Sequence, residues 1–279
     1  MKIIQYMLFF SLTTALVACK TEGVDKSKET IEKIEPRVDS LELNLPVHSH
    51  LTLDNGIEIV WLEKPADGEA IKAGDVVMID YKVRLADSTI IDGNHLLNKP
   101  NLPFIVGYGL QPKGWDIAFK HLHVGDFVRI KLPSEFARGK KGIKNLVPQD
   151  ADNYLTVRII SKREPSREID GNKVWIFEEN VRNKKKFNEN NKIIFHTTIS
   201  SESNPFYFNS YANQQPFELR LTDNGVVPGL KKALINAKKG DRMFITVPAD
   251  QAYGSKGYLN IVKPNESLLY NVLVMDIVD

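Results

Sequence analysis

The stretch PSEFARGKKG at residues 133–142 returns as PADQAYGSKG at residues 248–257. Its proline, alanine, lysine and two glycines recur 115 positions further on (248−133, 252−137, 254−139). The same spacing relates Gly114 to Gly229 and the Gly-Asp pair at 125–126 to the pair at 240–241. A spacing this large exceeds the period of solenoid repeats and equals an ordinary domain size. The sequence therefore predicts two copies of one globular domain.

The composition is that of a globular protein, with 42% hydrophobic and 26% charged residues among 279. Each half can therefore bury a core of its own. The net charge of +2 is not the strongly basic charge typical of nucleic-acid-binding proteins, so we expect no nucleic acid partner. The densest basic cluster, residues 182–186, is typical of a solvated loop.

The first 19 residues are typical of a secretory signal. Lys2 precedes an apolar segment, residues 3–18, which is too short and too polar for a spanning helix of about 20 apolar residues. The segment ends in Leu-Val-Ala before Cys19, the single cysteine, and so resembles a bacterial lipobox. We predict a lipoprotein signal peptide over 1–19 and a lipid anchor on Cys19, which would hold the protein at a membrane of the bacterial cell envelope, facing the periplasm. The alternative is an ordinary signal peptide with a chance cysteine.

Residues 20–50 are predicted to form a flexible tether, because they are charged and lack long apolar runs. The two domains are placed at residues 51–163 and 171–279. Apolar or alternating runs in the first copy predict strands at residues 56–62, 76–85, 104–106, 127–132 and 154–160.

One helix is predicted in each copy. Trp115, Phe119 and Leu122 share one apolar face in the first, and Leu230 and Leu234 do so in the second. A set of strands with a single helix predicts an α+β fold, in which the helix covers one face of an antiparallel sheet.

The sequence shows no covalent or metal-binding constellation. His121 and His123 lack further ligands at a suitable spacing, and His48 and His50 fall in the predicted tether, so we predict no metal site. There is no G-x-S-x-G motif and no phosphate-binding glycine loop. What recurs is aromatic and aliphatic side chains at loop edges, among them Trp115, Tyr253, Tyr258, Ile261 and Tyr270.

The order of these residues resembles the FKBP-type peptidyl-prolyl isomerases. The first copy carries Ile91-Asp92, Gly114-Trp115 and the run Pro133-x-x-x-Ala137-x-Gly139 in that family's order. The second carries Val226-Val227-Pro228-Gly229-Leu230 and the run Pro248-x-x-x-Ala252-Tyr253-Gly254. The resemblance covers about residues 55–162 and 173–278. It implies two tandem domains, each a bent antiparallel β-sheet wrapped on one α-helix, with an apolar pocket between sheet and helix.

The resemblance also implies a peptidyl-prolyl cis-trans isomerase that needs no cofactor. Rotation about a peptide bond costs about 18–20 kcal/mol because amide resonance must be broken. A twisted prolyl amide has lost that resonance and its carbonyl is less polar than in the planar form. A dry apolar pocket therefore favours the twisted amide over the ground state, which is catalysis by differential binding.

Site residues carried over to the first copy are Tyr81 of the sheet, Asp92 near the substrate and Trp115 at the pocket floor. Arg138 stands where the family has a loop tyrosine that hydrogen-bonds a substrate carbonyl. The other pocket residues expected in this copy are Ile91, Phe104, Leu146 and Leu155.

The second copy keeps the loop tyrosine, Tyr253, but has His196, Asn209 and Leu230 in place of the sheet tyrosine, the aspartate and the tryptophan. Its remaining expected site residues are Phe208, Phe217, Val226, Val227, Tyr258, Ile261 and Tyr270. Because this apolar lining and the loop tyrosine survive, we expect the second copy to carry more of the activity.

The function expected from this resemblance is a prolyl isomerase that assists the folding of exported, proline-containing polypeptides. The substitutions at Arg138, His196 and Leu230 leave open a non-catalytic prolyl-peptide-binding chaperone or assembly factor. A third alternative is a structural spacer in which both pockets are inactive.

Overall fold

The computed structural model describes residues 45–279, which form two antiparallel sheets. The first sheet contains β1 (Ser49–Thr52), β2 (Glu58–Glu63), β3 (Val76–Arg84), β4 (Ile90–Gly93), β5 (Leu102–Ile105), β6 (Phe127–Leu132) and β7 (Asn153–Arg163). Its strand order is β1-β2-β6-β7-β3-β4, and β5 pairs with β3. The predicted strands of the first copy are thus confirmed, and no strand end differs from its prediction by more than three residues.

The second sheet repeats this topology. It contains β8 (Arg167–Ile169), β9 (Asn172–Glu178), β10 (Lys192–Ser201), β11 (Phe208–Asn209), β12 (Phe217–Leu219), β13 (Arg242–Val247) and β14 (Leu268–Val278). The order is β8-β9-β13-β14-β10-β11, with β12 on β10. The repeat read from the sequence therefore corresponds to two copies of one strand arrangement.

Each sheet packs against one short helix, α1 (Lys113–Phe119) or α2 (Pro228–Leu234). The repeated glycine at the start of each helix permits this close approach. A Cβ on Gly114 would lie 2.7 Å from a methyl carbon of Leu132, and one on Gly229 would lie 2.2 Å from the side-chain oxygen of Asn172. Neither position has room for a side chain, which explains why both copies have glycine at the start of the helix.

The helix in the first copy ends earlier than its apolar face predicted. Helix α1 stops at Phe119, whereas Leu122 follows in a turn but is still fully buried in the same core. In the second copy, the Arg167 guanidinium closes the end of α2 by donating to the carbonyl oxygens of Ala233 and Ile235, both at 2.5 Å. These bonds satisfy carbonyls that a helix end leaves without partners.

One strand crosses a predicted domain boundary and another lies between the two predicted domains. Strand β1 begins at Ser49, inside the segment predicted as a tether, and its His50 pairs with Val60 of β2. Strand β8 precedes residue 171 and pairs with β9. Both segments form strands because they hydrogen-bond to a neighbouring strand, and the local composition of the sequence does not reveal that pairing. The predicted signal peptide, Cys19 and the tether up to residue 44 lie outside the described residues.

The two domains meet through a small apolar cluster. Val76, Ile105 and Tyr108 of the first domain pack with Trp175, Phe244 and Leu269 of the second. Within residues 45–279, neither helix is long and apolar enough to cross a membrane.

Candidate functional site

A cavity opens in the first domain between the sheet, α1 and the loop that leads into α1. Four residues predicted for this pocket line it together: Tyr81, Asp92, Phe104 and Trp115. Eight further residues line the cavity and are not among those predicted for it: Ile79, Leu97, Leu102, Pro103, Leu110, Gln111, Phe244 and Asn271. Most of these are ordinary apolar residues, and their position in the chain alone gives no reason to select them.

The floor of the cavity is an aromatic cluster. Trp115 is 2% exposed, and its ring centroid lies 5.2 Å from that of Tyr81 in an edge-to-face contact. The Phe104 and Phe119 rings each lie 5.7 Å from the Trp115 ring. Such pairs hold the rings in fixed orientations, so the floor presents a rigid apolar surface.

One corner of the cavity is polar. The Tyr81 hydroxyl donates to Asp92 Oδ1 at 3.3 Å, and the Gly93 N–H donates to the same oxygen at 2.8 Å. Burial raises the pKa of the Asp92 carboxyl, against these hydrogen bonds and the positive charge of Arg138. Burial also raises the pKa of Tyr81, with the Asp92 charge adding to it. The corner therefore places the carboxyl group of Asp92 beside a phenol, and burial raises the pKa of both groups.

Arg138 lies half-buried beside this corner. Burial lowers its pKa, and the nearby charges of Asp92 and Tyr81 oppose that shift. A guanidinium N–H donates weakly to Gln111 Oε1 at 3.5 Å. Since the pKa of arginine starts near 12.5, the side chain remains a cation with several N–H donors at the rim.

The loop of residues 106–112 is held in place by Asp116 of α1. The carboxylate accepts the Gly107 N–H at 2.7 Å and the Gly109 N–H at 2.8 Å. Leu110 and Gln111 of this loop then reach the cavity. Lys231 occupies the position of Asp116 in the second copy (231−116 = 115), and its Nζ donates instead to the carbonyl oxygens of Leu221 and Asp223 in the equivalent loop.

Three residues predicted for the first pocket do not line the cavity. Ile91 and Leu155 are buried in the core of the first domain, where they are 4% and 0% exposed. Leu146 is half-buried and packs on that core from the loop before β7. These three residues pack in or against the core of the first domain and do not form the surface of the cavity.

The strand pairings correct the residue correspondence between the two copies. Tyr81 pairs with Val157, whereas Val272, the equivalent of Val157, pairs with Thr197. The spacing on β3 and β10 is therefore 116 (197−81) rather than 115. The hydrogen bonds agree, since the Tyr81 N–H donates to Asn94 Oδ1 and the Thr197 N–H to Ser210 Oγ (210−94 = 116).

The extra residue lies in the connection before β10, which has 13 residues (179–191) where the first copy has 12 (64–75). It is lost again before β12, because Phe217 is 115 positions after Leu102, its counterpart beside the central strand. Local insertions of this kind leave the glycines of the repeat in register and so go unseen in the sequence.

With this register, Phe208 occupies the place of Asp92 and Tyr207 that of Ile91, since Phe208 pairs with Ile199 as Asp92 pairs with Val83. The predicted pairing of Asn209 with Asp92 is corrected. Asn209 Oδ1 instead accepts the backbone N–H of Tyr211 at 2.9 Å and so closes a local turn.

His196 is likewise not the counterpart of Tyr81, and the structure does not bring it to Tyr253. It points away from the core that contains its neighbours on β10, Phe195 and Ile199. Its ring stacks on Tyr211 at 4.5 Å, and its Nδ1 lies 3.0 Å from Ser210 Oγ. Burial lowers the pKa of His196.

The other residues predicted for the second site do come together around an apolar patch. The Phe208 and Phe217 rings lie 4.9 Å apart, and Tyr253 stacks on Tyr258 at 4.6 Å. Val226 and Ile261 are half-buried on the same core, whereas Val227, Leu230 and Tyr270 are buried within it. Tyr207 joins the patch; burial raises its pKa, with Tyr253 and Tyr258 adding to the shift.

Among residues 45–279, no group of three or more histidine, cysteine, aspartate or glutamate side chains is placed to hold a metal ion.

Residues 67–160 and 183–275 both match the sequence model of the FKBP-type peptidyl-prolyl cis-trans isomerases. The chain belongs to this family. Each matched segment begins after the first two strands of one sheet and spans its helix and later strands, so each sheet with its helix contains one FKBP domain.

Several known proteins are similar to this chain in sequence. Human peptidyl-prolyl cis-trans isomerase FKBP10 is 22% identical over 216 residues, which are 74% of this chain and 35% of the human protein. Bovine FKBP9 is 25% identical over 271 residues, 91% of this chain and 46% of the bovine protein. FK506-binding protein 1 of Candida glabrata is 31% identical over 110 residues, 39% of this chain and 95% of that protein.

The chain spans less than half the length of the FKBP10 and FKBP9 proteins that it matches. The crystal structure of the three FKBP domains of wheat FKBP73 aligns with a TM-score of 0.39 at 23% identity, and covers 81% of this chain and 96% of the wheat chain.

The two FKBP domains differ most in their polar groups. The first keeps the tyrosine–aspartate corner and has Arg138 at the rim, whereas the second has Thr197 and Phe208 at the corner and Tyr253 at the rim. The first site is an open cavity with one charged corner, and the second is an aromatic patch.

Proposed function

We propose that this protein is a peptidyl-prolyl cis-trans isomerase and that the first domain carries the activity. The observation that supports this most strongly is the cavity in which Trp115 forms an apolar floor beside the hydrogen-bonded pair of Tyr81 and Asp92. The family membership supports the reaction. We also infer that each sheet bends around its helix, since α1 and the strands share one core.

The proposed reaction needs no nucleophile. A prolyl ring seated on Trp115 is removed from water, and the less polar twisted amide is favoured over the planar one. Each 1.36 kcal/mol of this preference speeds isomerisation tenfold. The Tyr81–Asp92 pair orients the polar parts of the peptide at one side, so the twisting bond lies over the apolar floor.

Arg138 is proposed to act in place of the loop tyrosine of the second domain. Its guanidinium offers up to five N–H donors, and its neighbours Asp92 and Gln111 both line the cavity. One N–H can donate to a substrate carbonyl next to the prolyl bond. The charge is tolerable at this rim because Asp92 lies close to it.

This proposal reverses the expectation that the second copy is the more active. In the second domain, Phe208 removes the carboxylate and Leu230 replaces the aromatic floor. Its patch of Tyr207, Phe208, Phe217 and Tyr253 supports a second role, binding of prolyl segments without rate enhancement.

The test is the cis/trans exchange rate of a short Leu-Pro peptide, measured by NMR with the wild-type protein and two variants. We expect acceleration by wild type, a loss of at least tenfold in Trp115→Leu, and little change in Tyr253→Phe combined with Phe208→Ala. A loss confined to the second-domain variant would place the activity there. No acceleration by any form, with peptide signals still shifted, would favour the prolyl-binding chaperone.

We further propose that a lipid on Cys19 anchors the protein in the bacterial envelope and that its clients are exported polypeptides. The support is the apolar segment ending at Cys19. Labelled palmitate should be incorporated into the wild-type protein and not into Cys19→Ser. Equal labelling of both would refute the anchor.

A further inference from the structure

We propose that the second domain completes the peptide site of the first, with Phe244 and Asn271 as a wall that selects the residue next to the proline. Both side chains line the cavity whose floor is Trp115, although they belong to the second FKBP domain. The inference rests on the proposed function, because it assigns specificity determinants to that same prolyl site.

The two wall residues stand side by side on the outer face of the second sheet. Phe244 on β13 and Asn271 on β14 are direct cross-strand partners, so their side chains lie on one face. The alternate residues Ile245 and Tyr270 point into the core of the second domain. The wall therefore uses the face of the sheet that the second domain's own core leaves available.

The contact between the domains keeps this wall in place. Phe244 is 4% exposed and packs in the apolar cluster between the domains, next to its other cross-strand partner Trp175. The loop that supplies Leu110 and Gln111 to the cavity packs there through Tyr108, which is 6% exposed. Burial raises the pKa of Tyr108 to about 12, with Glu202 adding to the shift and a hydrogen bond with Ser267 opposing it.

The wall offers an apolar ring and an amide to a ligand. The Phe244 ring is held by an edge-to-face contact with Phe177 at 4.8 Å. The Asn271 side chain makes no hydrogen bond to any residue of the described part of the chain, so its donor and acceptor are available to a peptide backbone. This chemistry fits an extended peptide with an apolar residue beside the proline.

The experiment uses the three tryptophan indole N–H signals of the full protein, labelled with ¹⁵N. Trp115 reports peptide binding at the floor, Trp175 reports the domain contact, and Trp61 serves as a distant reference. Titration with an Ala-Leu-Pro-Phe peptide gives the dissociation constant from the Trp115 shift. We expect Phe244→Ala to weaken binding about tenfold and Asn271→Ala to weaken it about three- to fivefold.

The matched control is Met275→Ala, which removes an exposed apolar side chain from β14 away from the cavity. It should leave the dissociation constant unchanged. If Phe244→Ala shifts the Trp175 signal, it disturbs the domain contact. The dissociation constants of Phe244→Leu and Asn271→Ala then test the proposed wall in its place. Replacing leucine by glycine before the proline should cost wild type more affinity than it costs Phe244→Ala.

Equal dissociation constants for wild type, Phe244→Ala and Asn271→Ala would overturn the wall, and so would a peptide that leaves the wild-type Trp115 signal unmoved. The isomerase proposal is judged separately by the exchange rate. Weaker binding in the wall variants, together with no exchange acceleration by wild type, would support the wall and refute catalysis.

Discussion

Replacing Trp115 by leucine, the residue that the second domain has at the same position, is the sharpest probe of the first site. The Trp115 ring is 2% exposed and contacts the rings of Tyr81, Phe104 and Phe119. Truncation of a buried tryptophan to alanine costs about 3–5 kcal/mol, and leucine restores part of the lost volume. That cost already includes the ring contacts, each worth about 0.5–1.5 kcal/mol beyond its buried area, and leucine does not restore them. We therefore expect the first domain to lose about 2–3 kcal/mol of stability.

Amide hydrogen exchange measures this change for each domain in one sample. The slowest amides of β7, such as those of Val157 and Ile159, report the first domain, and those of Val272 and Val274 on β14 report the second. A loss of about 2.8 kcal/mol would speed exchange in β7 about a hundredfold. Exchange in β14 should change much less, because the domains share only a small apolar cluster.

Trp115→Phe is the matched control, since it keeps an aromatic ring against the same neighbours and should cost less than leucine. A loss of stability under about 1 kcal/mol in Trp115→Leu, or an equal loss of protection in β7 and β14, would contradict this prediction. The first result would mean that the ring contacts contribute little. The second would mean that the two domains unfold as one unit.

Three further predictions address the domain contact, the second helix and pH. A Cβ on Gly109, whose φ is +64°, would lie 2.4 Å from Pro205 Cβ, so Gly109→Ala should shift the Trp175 indole signal and weaken peptide binding at Trp115, whereas Ala151→Gly should do neither. Arg167→Ala should destabilise the second domain by about 1–3 kcal/mol in urea unfolding, because two helix-end carbonyls lose their partners, and a cost as large in Lys173→Ala would count against this explanation. Because burial lowers the pKa of His196 below its ordinary value near 6.5, the unfolded chain binds the proton more tightly; the second domain should lose stability as the pH falls through about 6.5, and His196→Gln should show a smaller loss by hydrogen exchange at pH 7.5 and 5.5.

The fold could be predicted because the residues that carry it are spaced regularly. Gly114 and Gly229 allow the close approach of helix and sheet in both copies, and their fixed spacing survives any change in side chains elsewhere. Much of the first site followed as well, since Tyr81, Asp92, Phe104 and Trp115 do converge on one cavity.

The second site was predicted less accurately because its central strand is out of register by one residue. A slip of one position reverses the face of every side chain on a strand. It moves His196 from the predicted pocket to the outer face and brings Thr197 to the place of Tyr81. Only the hydrogen-bonded ladder with β14 reveals this, because the compensating insertion and deletion leave the flanking glycines 115 apart.

The sequence by itself determined that the chain contains two domains of one kind and which residues form the floor of the first site, because close helix packing and aromatic burial restrict residue type at fixed positions. The tertiary structure decided which face each residue of β10 presents and that Phe244 and Asn271 stand at the first domain's cavity. Strand register depends on pairing between distant segments, and a contact between domains depends on the shapes of two finished surfaces. Neither the strand register nor the contact between domains produces a periodic pattern in the sequence.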